Sequence, residues 1–312
     1  MAGNHEEPTA DELFERGYQL GHPSDGGRSS WRKAFPLWLD AAALGHVQAM
    51  FEVGACFDFG KGVTRDVKRA VECYRAAALA GHGEAAYFLS CCYDKGDGVP
   101  KDQRLRLKWL KAAAEQRDND GLLALGYCYF VGQGVRRNHK LAADCYRYAA
   151  RLGSEGACYN LALCYRHGDG VARNLGHAWR WAMSAAELGH QLASELLLQI
   201  AMSYRDGEVV RVNHGKAFYL FLELAESGDT AAMLEVGFCF HKGNGCLKSD
   251  ARAVRWYRRA ADGGEATACM NLARCYASAQ GVRRDMKTAR AWARKAVTRR
   301  AEGAKALLCD LT

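Results

Sequence analysis

A serine and a lysine, Ser30 and Lys33, stand at a spacing that occurs in enzymes with a serine nucleophile. In a Ser-x-x-Lys pair, the lysine can help to remove the serine proton, so that the oxygen attacks a carbonyl carbon. The companion motifs Lys-Thr-Gly and Ser-Asp-Asn do not occur, since Lys287-Thr288 is followed by an alanine. We therefore interpret the match as coincidence and predict a protein without catalytic residues, cofactors or metal ligands.

Thirteen cysteines offer a second kind of chemistry, because thiols can form disulfides or bind metal ions. Cys73 follows Cys56 at the same spacing at which Cys145 follows Cys128, and this spacing places each pair at a similar height in a helical hairpin. Each pair could be a dithiol that oxidises or holds a metal, although two thiols supply only half of a zinc site. We favour the alternative that these thiols pack as small apolar side chains. The number of free thiols in the denatured protein separates the two interpretations.

A basic segment lies near the C-terminus, where residues 283–300 contain eight lysines and arginines and Asp285 as their only acid. Such a segment can bind nucleic-acid phosphates, but no base-reading motif or aromatic stacking platform accompanies it. We favour a solvated helix face and keep nucleic-acid binding as an alternative. His46, His82 and His190 each follow a glycine at a predicted helix end, where the helix dipole favours a basic side chain.

The composition limits the class of protein. Of 312 residues, 49% are hydrophobic, and 43 lysines and arginines exceed 35 aspartates and glutamates. This excludes wholesale disorder and gives a net charge of +8, which suits an acidic partner. No apolar run is long enough for a membrane span, and the acidic stretch from Met1 to Arg16 does not resemble a leader peptide. We expect a cytoplasmic or nuclear protein, with the mitochondrial intermembrane space as the alternative, and a monomer unless a partner assembles it.

The sequence repeats with a period of 36 residues, which is typical of a stacked array of small units. Six blocks align without a gap, and a seventh block, 191–229, needs a three-residue insertion, which we place near residues 196–198. The predicted organisation is a disordered segment 1–8, a single array over 9–301 and a capping helix over 302–312. The predicted units are approximately 9–46, 47–82, 83–118, 119–154, 155–190, 191–229, 230–265 and 266–301.

Each unit is predicted to contain two helices joined by a glycine turn. In the first helix, apolar residues recur at unit positions 4, 7, 8 and 11, with a small residue at position 8 and an aromatic one at position 11. A Gly-x-Gly-Val turn follows, and then a residue suited to cap the second helix. That helix ends in an Ala-Ala pair and usually a glycine. The predicted caps are Asp66, Asp102, Asn138, Asn174, Asn213 and Asp285.

This consensus closely resembles the Sel-1-like repeat family, a relative of the tetratricopeptide repeat. The clearest copy is Ala231–Gly264, with its Leu-Glu-Val-Gly, Gly-Asn-Gly, Trp-Tyr and Ala-Ala elements. The resemblance implies an all-α fold, a right-handed α-solenoid (superhelix) of about eight helix-turn-helix units plus a C-terminal capping helix. It also implies a non-enzymatic adaptor or scaffold that binds other proteins or peptides.

A cysteine-rich branch of the same family suggests the alternative function. Its members include secreted proteins that bind penicillin-like ligands and a mitochondrial intermembrane-space assembly factor, and they carry disulfides between residues that flank the boundary of consecutive units. Cys158 and Cys269 stand at first-helix starts here, but alanines occupy the places of their partners. The branch pattern is therefore incomplete, and a β-lactamase-like or assembly role stays the alternative to the adaptor.

A surface for partner proteins is predicted on the first helices. In helical-repeat solenoids these helices line the concave face, and unit positions 5, 9, 12 and 13 are not needed for stacking. Large aromatic side chains there can anchor a partner segment, while neighbouring charges set its register. The predicted partner-binding residues are Phe51, Phe59, Tyr87, Tyr127, Phe130, Tyr159 and Phe238.

Overall fold

A computed structural model describes residues 7–22, 29–207 and 210–311. Over these ranges the chain forms seventeen α-helices and no β-strand, which confirms the all-α prediction. The helices belong to two compact units, Met1–Asn174 and Leu175–Thr312, called unit one and unit two below. The 36-residue units of the sequence analysis are called repeats from here on. The predicted disordered segment 1–8 lies outside the described residues except for Glu7 and Pro8.

Consecutive helices contact one another along the chain within each unit. Unit one contains α1 (Ala10–Gly21), α2 (Trp31–Ala43), α3 (Val47–Phe59), α4 (Val67–Leu79), α5 (Gly83–Lys95), α6 (Gln103–Glu115), α7 (Asn119–Val131), α8 (His139–Arg151) and α9 (Glu155–His167). Unit two contains α10 (Leu175–Glu187), α11 (Ala193–Asp206), α12 (His214–Glu226), α13 (Thr230–Lys242), α14 (Asp250–Asp262), α15 (Ala266–Ser278), α16 (Met286–Thr298) and α17 (Ala304–Asp310).

A constant spacing of the helices produces the 36-residue period. From α3 onward, a first helix is followed by a seven-residue turn, a second helix of the same length and a three-residue connection. There are two exceptions. Residues 188–192 join α10 to α11, which is one residue longer than the other first helices, and residues 299–303 join α16 to the short helix α17. Two of the three extra residues therefore lie in the connection before α11 and the third lengthens that helix, so the predicted insertion at 196–198 is wrong. Three residues inserted inside α11 would rotate its apolar face away from the core, whereas a connection accommodates them.

The predicted caps of the second helices are confirmed at five of six positions. Asp66 Oδ1 accepts hydrogen bonds from the backbone N–H groups of Lys68 and Arg69, at 3.1 and 3.2 Å. These bonds satisfy donors that have no partner within the first helical turn. The other four confirmed caps are Asp102, Asn138, Asn213 and Asp285.

A second set of caps, at the starts of the first helices, is not anticipated by the sequence analysis. Nδ1 of His46 and of His82 accepts a hydrogen bond from the backbone N–H of Ala49 and of Ala85, each at 3.1 Å. These histidines cap the helix that follows them, a role that the sequence analysis does not assign to them. The same place in other repeats is held by Asp118, Ser154 and Asp229.

The cap formed by His82 depends on its protonation state. Nε2 of His82 lies 2.7 Å from Oε1 of Gln48, an arrangement in which Nε2 carries the proton and Nδ1 accepts the cap bond. Burial lowers the pKa of His82 below its ordinary value of 6.5. The unfolded chain therefore takes up the proton more readily than the folded chain. The stabilisation is complete above about pH 6.5 and is lost as the pH falls below it.

We expect His82→Asn to reduce the loss of stability on acidification. Asparagine keeps a cap acceptor but does not titrate in this range, so one source of the pH dependence is removed. The measurement is the urea midpoint at about pH 7.5 and about pH 5.5, compared between wild type and variant. A difference between the two midpoints that is the same in both proteins would contradict this role of His82.

Position 8 of the first helix lets the second helix of the same repeat approach closely. Gly126 of α7 lies against Tyr146 of α8, and a Cβ atom built on Gly126 would be 2.6 Å from Cε1 of that ring. Tyr146 is buried, with 2% of its surface exposed, so the ring occupies the space that the glycine leaves. Gly237 and Tyr257 repeat the arrangement between α13 and α14.

Neighbouring repeats are joined by the turn and by an arginine–tyrosine hydrogen bond. The turn glycine Gly98 has φ +70° and approaches α4 so closely that a built Cβ would be 2.7 Å from the carbonyl oxygen of Val67. Arg75 of α4 donates a hydrogen bond to Tyr93 Oη of α5 at 3.1 Å. Arg258 donates the equivalent bond to Tyr276 at 2.7 Å. These contacts fix the spacing of successive first helices and thereby shape the surface between them.

The C-terminal helix α17 covers apolar residues of α16. Leu307 and Leu308 pack against a cluster that contains Ala289 and Ala293. Nε of Arg290 donates a hydrogen bond to the carbonyl oxygen that follows α17, at 2.6 Å.

Candidate functional site

An open groove of about 540 Å³ lies between the first helices α3 and α5 of unit one, and we call it groove one. Phe59, at the end of α3, forms one rim and is 58% exposed. Tyr87 and Cys91 of α5 lie on the other side, with Phe88 beside them. The charged residues of the groove carry both signs and are Asp58, Arg65, Lys95 and Asp97.

A smaller groove, of about 190 Å³, lies between the first helices α13 and α15 of unit two, and we call it groove two. Phe238 and Lys242 of α13 form one side, and the Lys242 ammonium lies 5.9 Å from the centroid of the Phe238 ring. Asn271 and Arg274 of α15 form the other side, and Gln280 lies in the turn that follows. The buried residues Tyr257 and Cys275 form the floor.

The two grooves share a set of positions within the 36-residue repeat. In each, positions 12 and 13 of one first helix face positions 6, 9 and 10 of the next, together with position 15 of its turn. Positions 6, 9, 10 and 13 share one side of a helix because their spacings of three, four and seven match the helical period. The groove is therefore a property of the repeat, and the side chains at these positions give each copy its own chemistry.

Three of the predicted binding residues, Phe59, Tyr87 and Phe238, line the grooves. Tyr127 of α7 is 52% exposed at position 9, the place that Cys91 and Arg274 hold in the grooves. Two other predicted residues, Phe130 and Tyr159, are half-buried, and the Phe130 ring stacks on His139 with centroids 4.8 Å apart.

Phe51 does not lie on an accessible surface, contrary to the sequence analysis. It is 6% exposed, and its ring stacks on His82 at a centroid distance of 4.8 Å. The rings of Tyr74 and Phe88 contact it as well. Position 5 faces the neighbouring helices here, so this aromatic residue stabilises the stack of repeats.

Burial keeps two thiols of the grooves, those of Cys92 and Cys275, in the protonated form. It raises the pKa of Cys92 in groove one to about 12 and that of Cys275 in groove two to about 11. Burial also raises the pKa of Tyr87, which interacts with the Cys91 side chain. These groups stay protonated at neutral pH, and a protonated thiol is a poor nucleophile. The side chains of the grooves present apolar surface, hydrogen-bonding groups and charges.

Ser30 and Lys33 do not come together in a cavity. Ser30 lines an open cavity of about 790 Å³ with Trp31, Gly62 and Thr64, and Lys33 is not among its lining residues. Lys33 is exposed on α2 and interacts with Ser30 through its backbone N–H, which donates to the Ser30 carbonyl oxygen at 2.9 Å.

All thirteen cysteines are free thiols in the structure. Cys73 lies against Gly54 and Cys145 lies against Gly126, each with its Cβ 3.2 Å from a Cβ built on the glycine. Burial raises the pKa of Cys56 to about 12 and that of Cys145 to about 11. For the pairs Cys56–Cys73 and Cys128–Cys145, packing as small apolar side chains stays the favoured prediction, and a dithiol stays the alternative. Among the described residues, no three histidine, cysteine or acidic side chains converge as metal ligands would.

Tandem helix-turn-helix repeats of one length, with grooves at one register, define the class of helical-repeat proteins. The chain belongs to the Sel1 repeat family. The family model for the Sel1 repeat matches seven segments, namely residues 47–82, 83–118, 119–154, 156–190, 194–229, 230–265 and 266–299. This confirms the resemblance inferred from the consensus. The match that begins at residue 194 agrees with an insertion before that residue. Sel1 repeats generally form scaffolds for protein interactions and are typically non-enzymatic.

Two solved structures share this fold along nearly the whole chain. The protective antigen c5321 of uropathogenic Escherichia coli, which displays an SLR fold, is 30% identical with a TM-score of 0.68 over 96% of this chain. A Sel1 repeat protein from Oxalobacter formigenes is 26% identical with a TM-score of 0.58, over 97% of this chain and 86% of its own. The chain spans 63% of the length of the c5321 structure.

A search of curated proteins found no match. In the part of the chain that the structure describes, every helix is too short or too polar to cross a lipid bilayer.

Proposed function

We propose that this protein is a scaffold that holds segments of partner proteins in the grooves between its successive first helices. The observation that carries the proposal is the recurrence of one groove at the same register in both units, each time with an exposed phenylalanine beside charged side chains. Aromatic anchors supply most of the binding energy of an interface, and charges at its rim set specificity.

The dimensions of the grooves favour peptide segments as ligands. The groove volumes of about 540 and 190 Å³ match a few amino-acid side chains and are far too small for a folded domain. Phe59 and Phe238 would contact apolar side chains of that segment, and Lys95 or Lys242 would contact its charges. We infer that affinity comes from several modest contacts spaced by the repeats, as is usual for helical-repeat scaffolds.

The test begins with peptides selected from a displayed library on the full-length protein, followed by measurement of their affinity by fluorescence anisotropy. We expect Phe59→Ser or Phe238→Ser to weaken the peptides of the corresponding groove about tenfold or more, because each removes an aromatic anchor. Tyr127→Ser extends the same test to α7.

Tyr219→Ser is the matched control, since Tyr219 is 64% exposed on the second helix α12 and lines neither groove. It should leave the affinities within about twofold. Two results would contradict the proposal. In the first, the selected peptides bind the groove variants and Tyr127→Ser as tightly as wild type. In the second, Tyr219→Ser weakens them as much as the groove variants do.

A further inference from the structure

Groove two differs from groove one in its charge. Groove one contains two carboxylates, Asp58 and Asp97, beside its basic residues. Groove two is lined by Lys242, Arg274 and His241 and by no carboxylate. Among the described residues, Lys242 and Arg274 make no ion pair, and both side chains are exposed. The positive charge of groove two is thus not neutralised by the side chains that line it.

The sequence around groove two strengthens this positive charge. Residues 242–300 contain fifteen lysines and arginines against four aspartates and glutamates. Three of these four acids have intramolecular partners. Asp250 pairs with Nδ1 of His241 at 2.7 Å, and Glu265 and Asp285 accept the cap bonds of α15 and α16. Residues 242–300 thus carry a surplus of eleven basic side chains, although the Asp250 carboxylate lies beside His241 at the groove. This surplus attracts acidic ligands and raises their rate of association.

We propose that groove two binds an acidic segment of a partner protein, in which a carboxylate stands close to an apolar side chain. This proposal rests on the proposed function and names the partner chemistry for one groove. The Arg274 guanidinium can hold a carboxylate with two parallel hydrogen bonds, and Lys242 adds a second positive charge opposite it. Phe238 lies beside Lys242 and contacts the apolar side chain. The amides of Asn271 and Gln280 can pair with the peptide backbone.

Nucleic acid would also respond to this charge, but the aromatic residues nearby do not form a stacking platform. Trp256 and Trp292 are half-buried, and each is covered by a cation of its own helix. Arg259 lies 4.2 Å from the Trp256 centroid and Lys295 lies 4.1 Å from the Trp292 centroid. Bases stack on uncovered rings in single-strand binding proteins. A narrow groove with one exposed phenylalanine suits a peptide side chain instead.

The test uses three fluorescent peptides of one length with a central phenylalanine. The first carries glutamates on both sides of it, the second carries glutamines and the third carries lysines. We expect the glutamate peptide to bind the full-length protein at least about tenfold more tightly than the glutamine peptide. Its affinity should fall as the NaCl concentration rises from about 50 to about 300 mM. The lysine peptide should bind least.

The matched variants are the double charge reversals K242E/R274E in groove two and R65E/K95E in groove one. Both change the net charge by the same amount at exposed side chains. Only the groove two variant should bind the glutamate peptide more weakly, by about tenfold or more. Arg274→Gln should cause part of this loss of affinity. Circular dichroism verifies that each variant is folded, and Arg274→Gln replaces the double variant if that one is not.

Each outcome bears on the proposal in a defined way. Glutamine and glutamate peptides of equal affinity would overturn the acidic preference and leave the proposed scaffold function intact. If no peptide binds and library selection also yields none, the scaffold function itself fails. Equal loss in both double variants would show a response to net charge alone and would overturn the assignment to groove two. A single-stranded oligonucleotide that binds more tightly than the glutamate peptide and displaces it would replace the proposal with nucleic-acid binding.

Discussion

Gly98→Ala should lower the free energy of unfolding by about 2–4 kcal/mol, through two effects that add. Gly98 has φ +70°, a conformation that costs a residue with a Cβ atom about 1 kcal/mol. The new Cβ would also lie 2.7 Å from the carbonyl oxygen of Val67 and 2.9 Å from its carbonyl carbon. Because these are backbone atoms, α4 has to move as a whole, which costs about 1–3 kcal/mol more.

Gly134→Ala is the matched control for this substitution. Gly134 holds the same place in its repeat and has φ +73°, but the nearest atom to its built Cβ is the carbonyl oxygen of Gln103 at 4.0 Å. We expect a loss of about 1 kcal/mol from strain alone. Urea denaturation measures both losses, and hydrogen exchange of the α4 and α5 amides reports the local effect, because repeat arrays can unfold in stages. Equal losses would show that the approach of Gly98 to α4 is not tight.

The contrast between Gly98 and Gly134 shows which part of the fold could be predicted from sequence. The period, the helix pairs and the glycine turns follow from columns that recur in every repeat, since local backbone geometry dictates them. How tightly one turn packs against the preceding repeat depends on how the two neighbouring repeats pack on each other. Both turns read Gly-x-Gly-Val, so no sequence signal distinguishes them.

The candidate site could be predicted in part. Phe59, Tyr87 and Phe238 line the grooves as the pattern of exposed aromatic residues suggested, although their binding role stays a proposal. Phe51 is buried because its ring packs against His82, Tyr74 and Phe88, whereas Tyr87, at the same position of the next repeat, lines groove one. The repeat position alone therefore does not predict exposure. The contribution of positions 6 and 10 is missed, although their helical spacing from positions 9, 12 and 13 gives a usable signal.

Regular repeats with variable grooves connect the fold to the proposed function. The backbone presents the same groove at one register in two places, because the turn glycines and the arginine–tyrosine bonds keep successive first helices at a fixed spacing. Positions 9, 12 and 13 are free to vary, since they carry little of the core. Groove one mixes acidic and basic side chains, whereas groove two is basic. One scaffold can in this way hold two chemically different segments.

Gly126→Ala should lower the free energy of unfolding by about 1–3 kcal/mol, although alanine favours a helix over glycine by about 1 kcal/mol. The added Cβ would lie 2.6 Å from Cε1 of Tyr146 and 3.2 Å from Cβ of Cys145. The ring is buried and cannot turn into solvent, so α7 and α8 have to separate. Gly215→Ala in α12 is the control, because the nearest atom to its built Cβ is 3.7 Å away, and it should be neutral or stabilising.

The effect of Gly126→Ala on the free energy of unfolding should change sign when the facing ring is removed. In the preceding repeat, Ser90 of α5 stands at the position of Gly126 and Leu110 of α6 stands at the position of Tyr146. A small side chain with a Cβ atom therefore faces a smaller partner there. In a Tyr146→Leu background, Gly126→Ala should therefore be neutral or stabilise by up to about 1 kcal/mol, the helix-propensity gain. A double-mutant cycle from urea denaturation should give a coupling of about 1–4 kcal/mol, the difference between the two expected effects. A cost that is the same in both backgrounds would mean that the glycine does not set the separation of α7 and α8.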